Sequence, residues 1–203
     1  IPYTKETLAL LREKGARLLL ATGRFWISPK SYREAYGLSA GILAANGAIL
    51  TDEKDQVLLS KKLSLKKTME LIDLAKQYDA YYYMVSDELL TAFDPQWDLA
   101  RFYETRDRST YIEPVKVVEH FHHLSKGEII EPVRKFLFFQ PDEKKLRRLG
   151  IELKKVSHIE ISSSYRDNFE VTTKGCDKGE ALKAYMRHLG IRQEEVLAFG
   201  DFL

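Results

Sequence analysis

Three residues of this chain combine a reactive or charged side chain with a useful address. Thr22 follows the aliphatic run ARLLLA, residues 16–21, at what reads as the carboxyl end of a buried strand. Asp201 follows Val196–Phe199, a second apolar run, in the same way, with Gly200 between. Lys178 stands at the first turn of a helix whose start is marked by Asp177 and Glu180, a D-x-x-E capping pattern. Right-handed crossovers in an open α/β sheet place strand carboxyl ends and helix amino ends along one edge, where ligands bind. The three residues can therefore face one crevice. A hydroxyl with neighbouring backbone N–H groups, an ammonium and a carboxylate suit a phosphate held with Mg2+: donors for the oxygens, a point charge, and a metal ligand. The chemistry such a set supports is phosphoryl transfer. A cation at a helix amino end sits unfavourably against the helix dipole, so a local anion is expected beside Lys178.

Other chemistries leave no comparable trace. Neither G-x-x-x-x-G-K-[ST] nor G-x-G-x-x-G occurs, which argues against a P-loop nucleotide hydrolase and a dinucleotide-binding domain. The run His120–His123, HFHH, lacks further ligands at metal-binding spacing and reads as a solvated loop or helix end. Cys176 is the single cysteine, which excludes an intramolecular disulfide framework and fits a reducing cytoplasm; its setting, TTKGCDKGE, carries no nucleophile signature. The 32 basic and 30 acidic residues are interspersed and leave a net charge of +2, so no nucleic-acid footprint is expected. No apolar run approaches the roughly 20 residues that span a bilayer. The expected partner is a small molecule, neither nucleic acid nor membrane, and nothing in the pattern requires an oligomer.

These side chains need elements to hold them. TKETLALLREK, residues 4–14, predicts a helix with Thr4 as its N-cap and Gly15 beyond its end. The strand ARLLLA leads into Thr22-Gly23-Arg24, and a helix is expected near residues 29–36. GILAANGAIL repeats the theme of a strand and then a turn at Asn46-Gly47, and LTDEKDQVLL reads as a polar-tipped hairpin. The middle changes character: LKKTMELIDLAKQY, residues 65–78, has a helical period, whereas AYYYMVS, LLTAF, RKFLFFQ and IEISSS are short strands. From about residue 167 the pattern returns to strand, loop, helix and strand. The fold class is α/β, with a core of residues 1–62 and 166–203 interrupted by an α+β domain at 63–165.

LLLATGR, GILAANGAIL and NFEVTTKGCDKGEALKAYMRHLGIRQEEVLAFGD, in this order and spacing, resemble the haloacid dehalogenase (HAD) superfamily of phosphohydrolases, and in particular its Cof-type members. RKFLFFQPDEKKLRRL resembles the cap segment of that group, so the likeness covers nearly the whole chain. The resemblance implies a three-layer Rossmann-like core with a parallel sheet and an inserted cap that closes over the substrate. It implies that Thr22 binds the transferring phosphoryl group, with Gly23 and Arg24 continuing its loop. Lys178 then neutralises nucleophile and phosphate, Asp201 is a Mg2+ ligand, and Asn46-Gly47 line the same cleft.

The family's first motif, a strand ending in D-x-D-G-T whose first Asp attacks phosphorus, is not matched, and no D-x-D occurs in these 203 residues. Ile1-Pro2-Tyr3 resembles the stretch just after that loop, so the chain reads as an internal window of a longer enzyme. The expected activity is a Mg2+-dependent phosphatase acting through an aspartyl-phosphate on small phosphorylated metabolites, with sugar phosphates first and cofactor phosphates next. The alternative is a non-catalytic module of the same ancestry that binds a phosphorylated ligand or a protein partner. Tyr81, Tyr83, Trp97 and Tyr111 offer rings to stack on a substrate, although aromatics on alternating strand positions more simply build the core of the cap.

Overall fold

The computed structural model describes residues 2–87, 90–93, 115–118, 129 and 132–200. His120–His123, Trp97, Tyr111 and Asp201 lie outside the described residues. The strands gather into two sheets, one from residues 19–60 and the other from residues 81–173.

The first sheet has the order β1-β2-β3-β4, formed by Leu19–Ala21, Gly41–Ala44, Ile49–Thr51 and Val57–Ser60. β1 and β2 are parallel, and the β3–β4 hairpin continues the sheet antiparallel. The period of two sorts the side chains into layers. Ile42, Ala44 and Ile49 turn to one face with Trp26, at the start of α2 (Ile27–Ala35). Leu43 and Leu50 turn to the other and pack on Ala181 and Tyr185 of α5 (Lys178–Leu189). Helix, sheet and helix make the three layers of an α/β core. α1 (Pro2–Glu13) starts earlier than expected, at a proline that needs no N–H there, so Thr4 lies inside the helix and does not cap it.

The second sheet has the order β7-β6-β5-β8-β10-β9. Its strands are Val115–Val118, Leu90–Phe93, Tyr81–Val85, Lys135–Phe139, Asn168–Thr173 and Ile159–Ser162, in that spatial order. Among the described strands of this sheet, only β6 and β7 are a parallel pair. Two helices, α3 (Leu65–Gln77) and α4 (Glu143–Leu153), cover one face. Their apolar residues Leu71, Ile72, Leu149 and Leu153 pack on Tyr82, Met84, Phe136, Phe138 and Val171, all essentially removed from solvent. The Tyr82 and Phe136 rings stack at 4.9 Å. Tyr82 is thus cap core, and burial pushes its phenol pKa up. Tyr81 and Tyr83 alternate to the opposite face, where the Tyr83 and Phe139 rings stack at 5.6 Å.

The boundary expected at residue 166 falls between β9 and β10, which pair with each other. Register places Asn168–Thr173 in the second sheet, so the chain returns to the first only after Thr173. Arg134 braces the crossing. Its guanidinium donates to both oxygens of Asp87 at 2.8 and 2.9 Å, to Ser60 Oγ at 2.9 Å and to the Lys61 carbonyl at 2.8 Å.

Val196–Phe199, read as a strand, pairs with none of the described strands. Val196 has extended backbone angles, yet Leu197 is 84% and Phe199 91% exposed. Local propensity sets the backbone angles, but a ladder needs a neighbour. β1 pairs with β2 alone among the described strands.

Candidate active site

The loops that follow β1 and β2 and the amino end of α5 pack against one another. The Thr22 N–H donates to the Leu43 carbonyl at 2.9 Å, one step beyond the last paired residues of β1 and β2, and the chain then turns away from the sheet. The Arg24 N–H donates to Thr22 Oγ1 at 3.1 Å. That bond occupies an acceptor site of the hydroxyl and leaves its proton to donate elsewhere. The loop after β2 docks on this turn, with the Asn46 N–H on the Thr22 carbonyl at 3.3 Å and the Ala45 N–H on the Arg24 carbonyl at 2.7 Å.

The docked loop is strained. Ala45, Asn46 and Gly47 have φ of 49°, 57° and 97°. The left-handed region costs a residue other than glycine roughly 1–2 kcal/mol. Such strain persists only where the surroundings over-determine it, and it concentrates at functional sites. Here the bonds to Thr22 and Arg24 hold the loop from one side, while Ala45 and Ala48 pack on Cys176 from the other. The Cys176 thiol is buried, and burial pushes its pKa up, as fits a packing residue. Gly47 is required twice over: its φ is positive, and a Cβ there would overlap the Asp177 backbone. A Cβ on Gly23 would fall 2.5 Å from Asn46 Oδ1. The two glycines allow three segments, residues 22–24, 45–47 and 177–178, to close on one another.

Lys178 is the first residue of α5. The Asp177 carboxylate caps the helix by accepting from the Glu180 N–H at 2.7 Å. The reciprocal half of the expected capping box is missing, because the Glu180 carboxylate is drawn outward to Lys183 at 2.6 Å. Lys178 is exposed, and among the described residues no carboxylate pairs with it. The local anion expected to offset it is therefore not an ion-pair partner from the described chain. An ammonium at the positive end of a helix, unpaired among the described residues, suits an anion, and this helix end packs on the same residue 45–47 loop as the Thr22 turn.

The second sheet adds two groups that the sequence reading passed over. Lys135, at the start of β8, is 6% exposed. Its ammonium donates to the Gly23 carbonyl at 2.7 Å and approaches Glu170 Oε2, on β10, at 3.3 Å. Glu170 also accepts from Asn46 Nδ2 at 2.7 Å and from Ser164 Oγ at 2.8 Å. Burial works to raise the Glu170 carboxyl pKa, but Lys135 and the donors from Ser164 and Asn46 outweigh it and hold the group below its ordinary value. The available signal was polarity on an interior strand: Asn168, Glu170 and Thr172 share one face of β10, which has neighbours on both sides.

Among the described residues no group of three His, Cys, Asp or Glu side chains gathers as a metal site. Asp201, the ligand implied by resemblance, offers the hard oxygen donor that Mg2+ prefers.

The family model of haloacid dehalogenase-like hydrolases matches residues 1–203. The pyridoxal phosphate phosphatase YbhA of Escherichia coli K12 is 24% identical over 208 residues, covering 99% of this chain and 74% of the relative. The HMP-PP phosphatase of Serratia proteamaculans is 26% identical over 202 residues, covering 97% and 70%. The crystal structure of a haloacid dehalogenase-like hydrolase from Bacteroides thetaiotaomicron superposes with a TM-score of 0.80 at 22% identity, covering 97% of this chain and 73% of that one. The two named relatives are phosphatases, the enzyme class implied by the Thr22 and Lys178 motifs. The chain belongs to the haloacid dehalogenase-like hydrolase family, among its Cof-type phosphatases.

Proposed function

We propose that this chain forms the phosphate-binding core and the cap of a Mg2+-dependent phosphatase for small phosphorylated metabolites, sugar phosphates first and cofactor phosphates next. The observation that carries the reading is that the Thr22 turn, whose hydroxyl proton is left to donate, and the helix amino end bearing Lys178, unpaired among the described residues, dock on one loop, residues 45–47. The relatives' action on phosphorylated compounds supports the same substrate class.

In this account Thr22 Oγ1 donates to a phosphoryl oxygen and Lys178 offsets the charge that builds on the equatorial oxygens. A carboxylate attacks phosphorus, the ester P–O bond breaks to release the alcohol, and water then hydrolyses the acyl phosphate to inorganic phosphate. The attacking carboxylate is not assigned to any of these 203 residues, which contain no D-x-D. Mg2+, held through Asp201, supplies further charge neutralisation when bound. The two half-reactions make opposite demands, since attack is favoured by a dry site and hydrolysis needs water. A cap that seats and lifts meets both, and its opening is the proposed slow step.

The test is phosphate release by the full-length protein from a panel of sugar and cofactor phosphomonoesters, with Mg2+ and with EDTA. The reading expects Mg2+-dependent turnover of at least one of them. Tight binding of a phosphorylated metabolite with no Mg2+-dependent release would favour the non-catalytic module.

A further inference from the structure

We infer that Lys135, carried by the cap sheet, positions the phosphate loop of the core by holding the Gly23–Arg24 peptide plane. This rests on the phosphatase reading of the Thr22 site and adds a residue from the other sheet to it.

The argument runs through one peptide unit. A trans peptide is planar, and its C=O and N–H point in opposite directions. The Gly23 carbonyl accepts from Lys135 Nζ at 2.7 Å, and the N–H of the same plane, that of Arg24, donates to Thr22 Oγ1 at 3.1 Å. A tilt at one end is a tilt at the other. The cap ammonium therefore sets the direction from which Thr22 Oγ1 receives its bond, and with it the direction left for the hydroxyl proton. Glu170 holds the ammonium at 3.3 Å and is itself held by Asn46 Nδ2 and Ser164 Oγ. The path Asn46–Glu170–Lys135–Gly23 closes a ring between core and cap, starting and ending on the two loops that meet at Thr22.

A lysine buried in this way is costly unless it has acceptors, and this one has a carbonyl and a carboxylate. Burial lowers its pKa, the Glu170 carboxylate opposes that, and the like charge of Lys178 adds to the lowering. When the cap lifts, the Gly23 carbonyl loses its donor and the peptide is free to turn. When the cap seats, the hydroxyl is aimed. The same ring makes the phosphate loop competent only under a closed cap.

The experiment compares Lys135→Met with wild type in the full-length protein, using p-nitrophenyl phosphate and Mg2+, with thermal unfolding measured on the same samples. Loss of a hydrogen bond to a charged group predicts a kcat lower by about 10- to 100-fold with a smaller change in KM. A purely structural role would lower the melting temperature and leave kcat per folded molecule unchanged, which would overturn the inference. If Lys135→Met does not fold, Glu170→Gln, which keeps the lysine and removes the charge that holds it, is expected to lower kcat in the same sense. Wild-type kcat in that folded variant would overturn the inference equally. Lys178→Ala separates the two layers of the argument. If wild type turns over, Lys178→Ala fails to, and Lys135→Met matches wild type, Lys135 has no positioning role and the phosphatase reading stands. If wild type releases no phosphate, both fall.

Discussion

Gly47→Ala is expected to damage stability and turnover together, for a reason that can be worked from the backbone. The residue has φ of 97°, and an added Cβ would lie 2.7 Å from the carbonyl carbon of Asp177. The left-handed conformation costs alanine about 1–2 kcal/mol. Forcing a methyl group into a filled site adds roughly 1–3 kcal/mol. For a protein of this size each kcal/mol is worth about 2–4 °C, so the melting temperature should fall by roughly 4–20 °C. The obstacle is main chain, so relief moves either the Asn46 loop or the start of α5 that carries Lys178. A displacement of about 1 Å at such a site costs on the order of 100-fold in rate. Gly37→Ala is the control: its φ of 61° is also left-handed, but no atom stands within 4 Å of the new Cβ. The assay is thermal unfolding alongside kcat at a temperature where all three proteins are folded. A Gly47→Ala protein that matches Gly37→Ala in both readouts would refute the packing of this loop against α5.

Two further outcomes follow from side chains at the junction of the sheets. Arg134→Ala removes a buried guanidinium from Asp87, Ser60 and the Lys61 carbonyl; because Asp87 is about a quarter exposed, the loss should be about 2–3 kcal/mol in urea unfolding. Glu170, whose folded carboxyl pKa lies below its ordinary value, contributes stability that is fully present above the unfolded pKa and is lost as pH falls through the folded one. The melting-temperature difference between wild type and Glu170→Gln should therefore be constant at neutral pH and shrink below about pH 4.5, and a difference independent of pH would contradict the assignment.

Much of the fold was legible because local chemistry and global topology agree. LLLA before Thr22 and GILA before Asn46 form neighbouring parallel strands, and Asp177 caps the helix that Lys178 begins. Asn46-Gly47 announced a turn, but not that Ala45 would join it at positive φ, since alanine carries no signal for that region. Lys135 and Glu170 were hidden for a different reason. Glu170 bonds Asn46 across 124 positions, and only the β8–β10 register brings the cap residues against the core loops. In RKFLFFQ the lysine looks like the polar edge of an apolar strand, which is the commonest meaning of a charge there. Val196–Phe199 shows the converse, a run with strand propensity whose extended backbone pairs with no described neighbour.

The central claim is that the crevice bounded by Thr22 and Lys178 binds and transfers a phosphoryl group. The most direct measurement is kcat for Mg2+-dependent phosphate release by full-length wild type and by Lys178→Ala, a substitution at an exposed position that leaves the packed core untouched. The account predicts a fall of at least about 100-fold, the scale of a lost electrostatic stabiliser, with an unchanged melting temperature. Equal rates in the two proteins would contradict it.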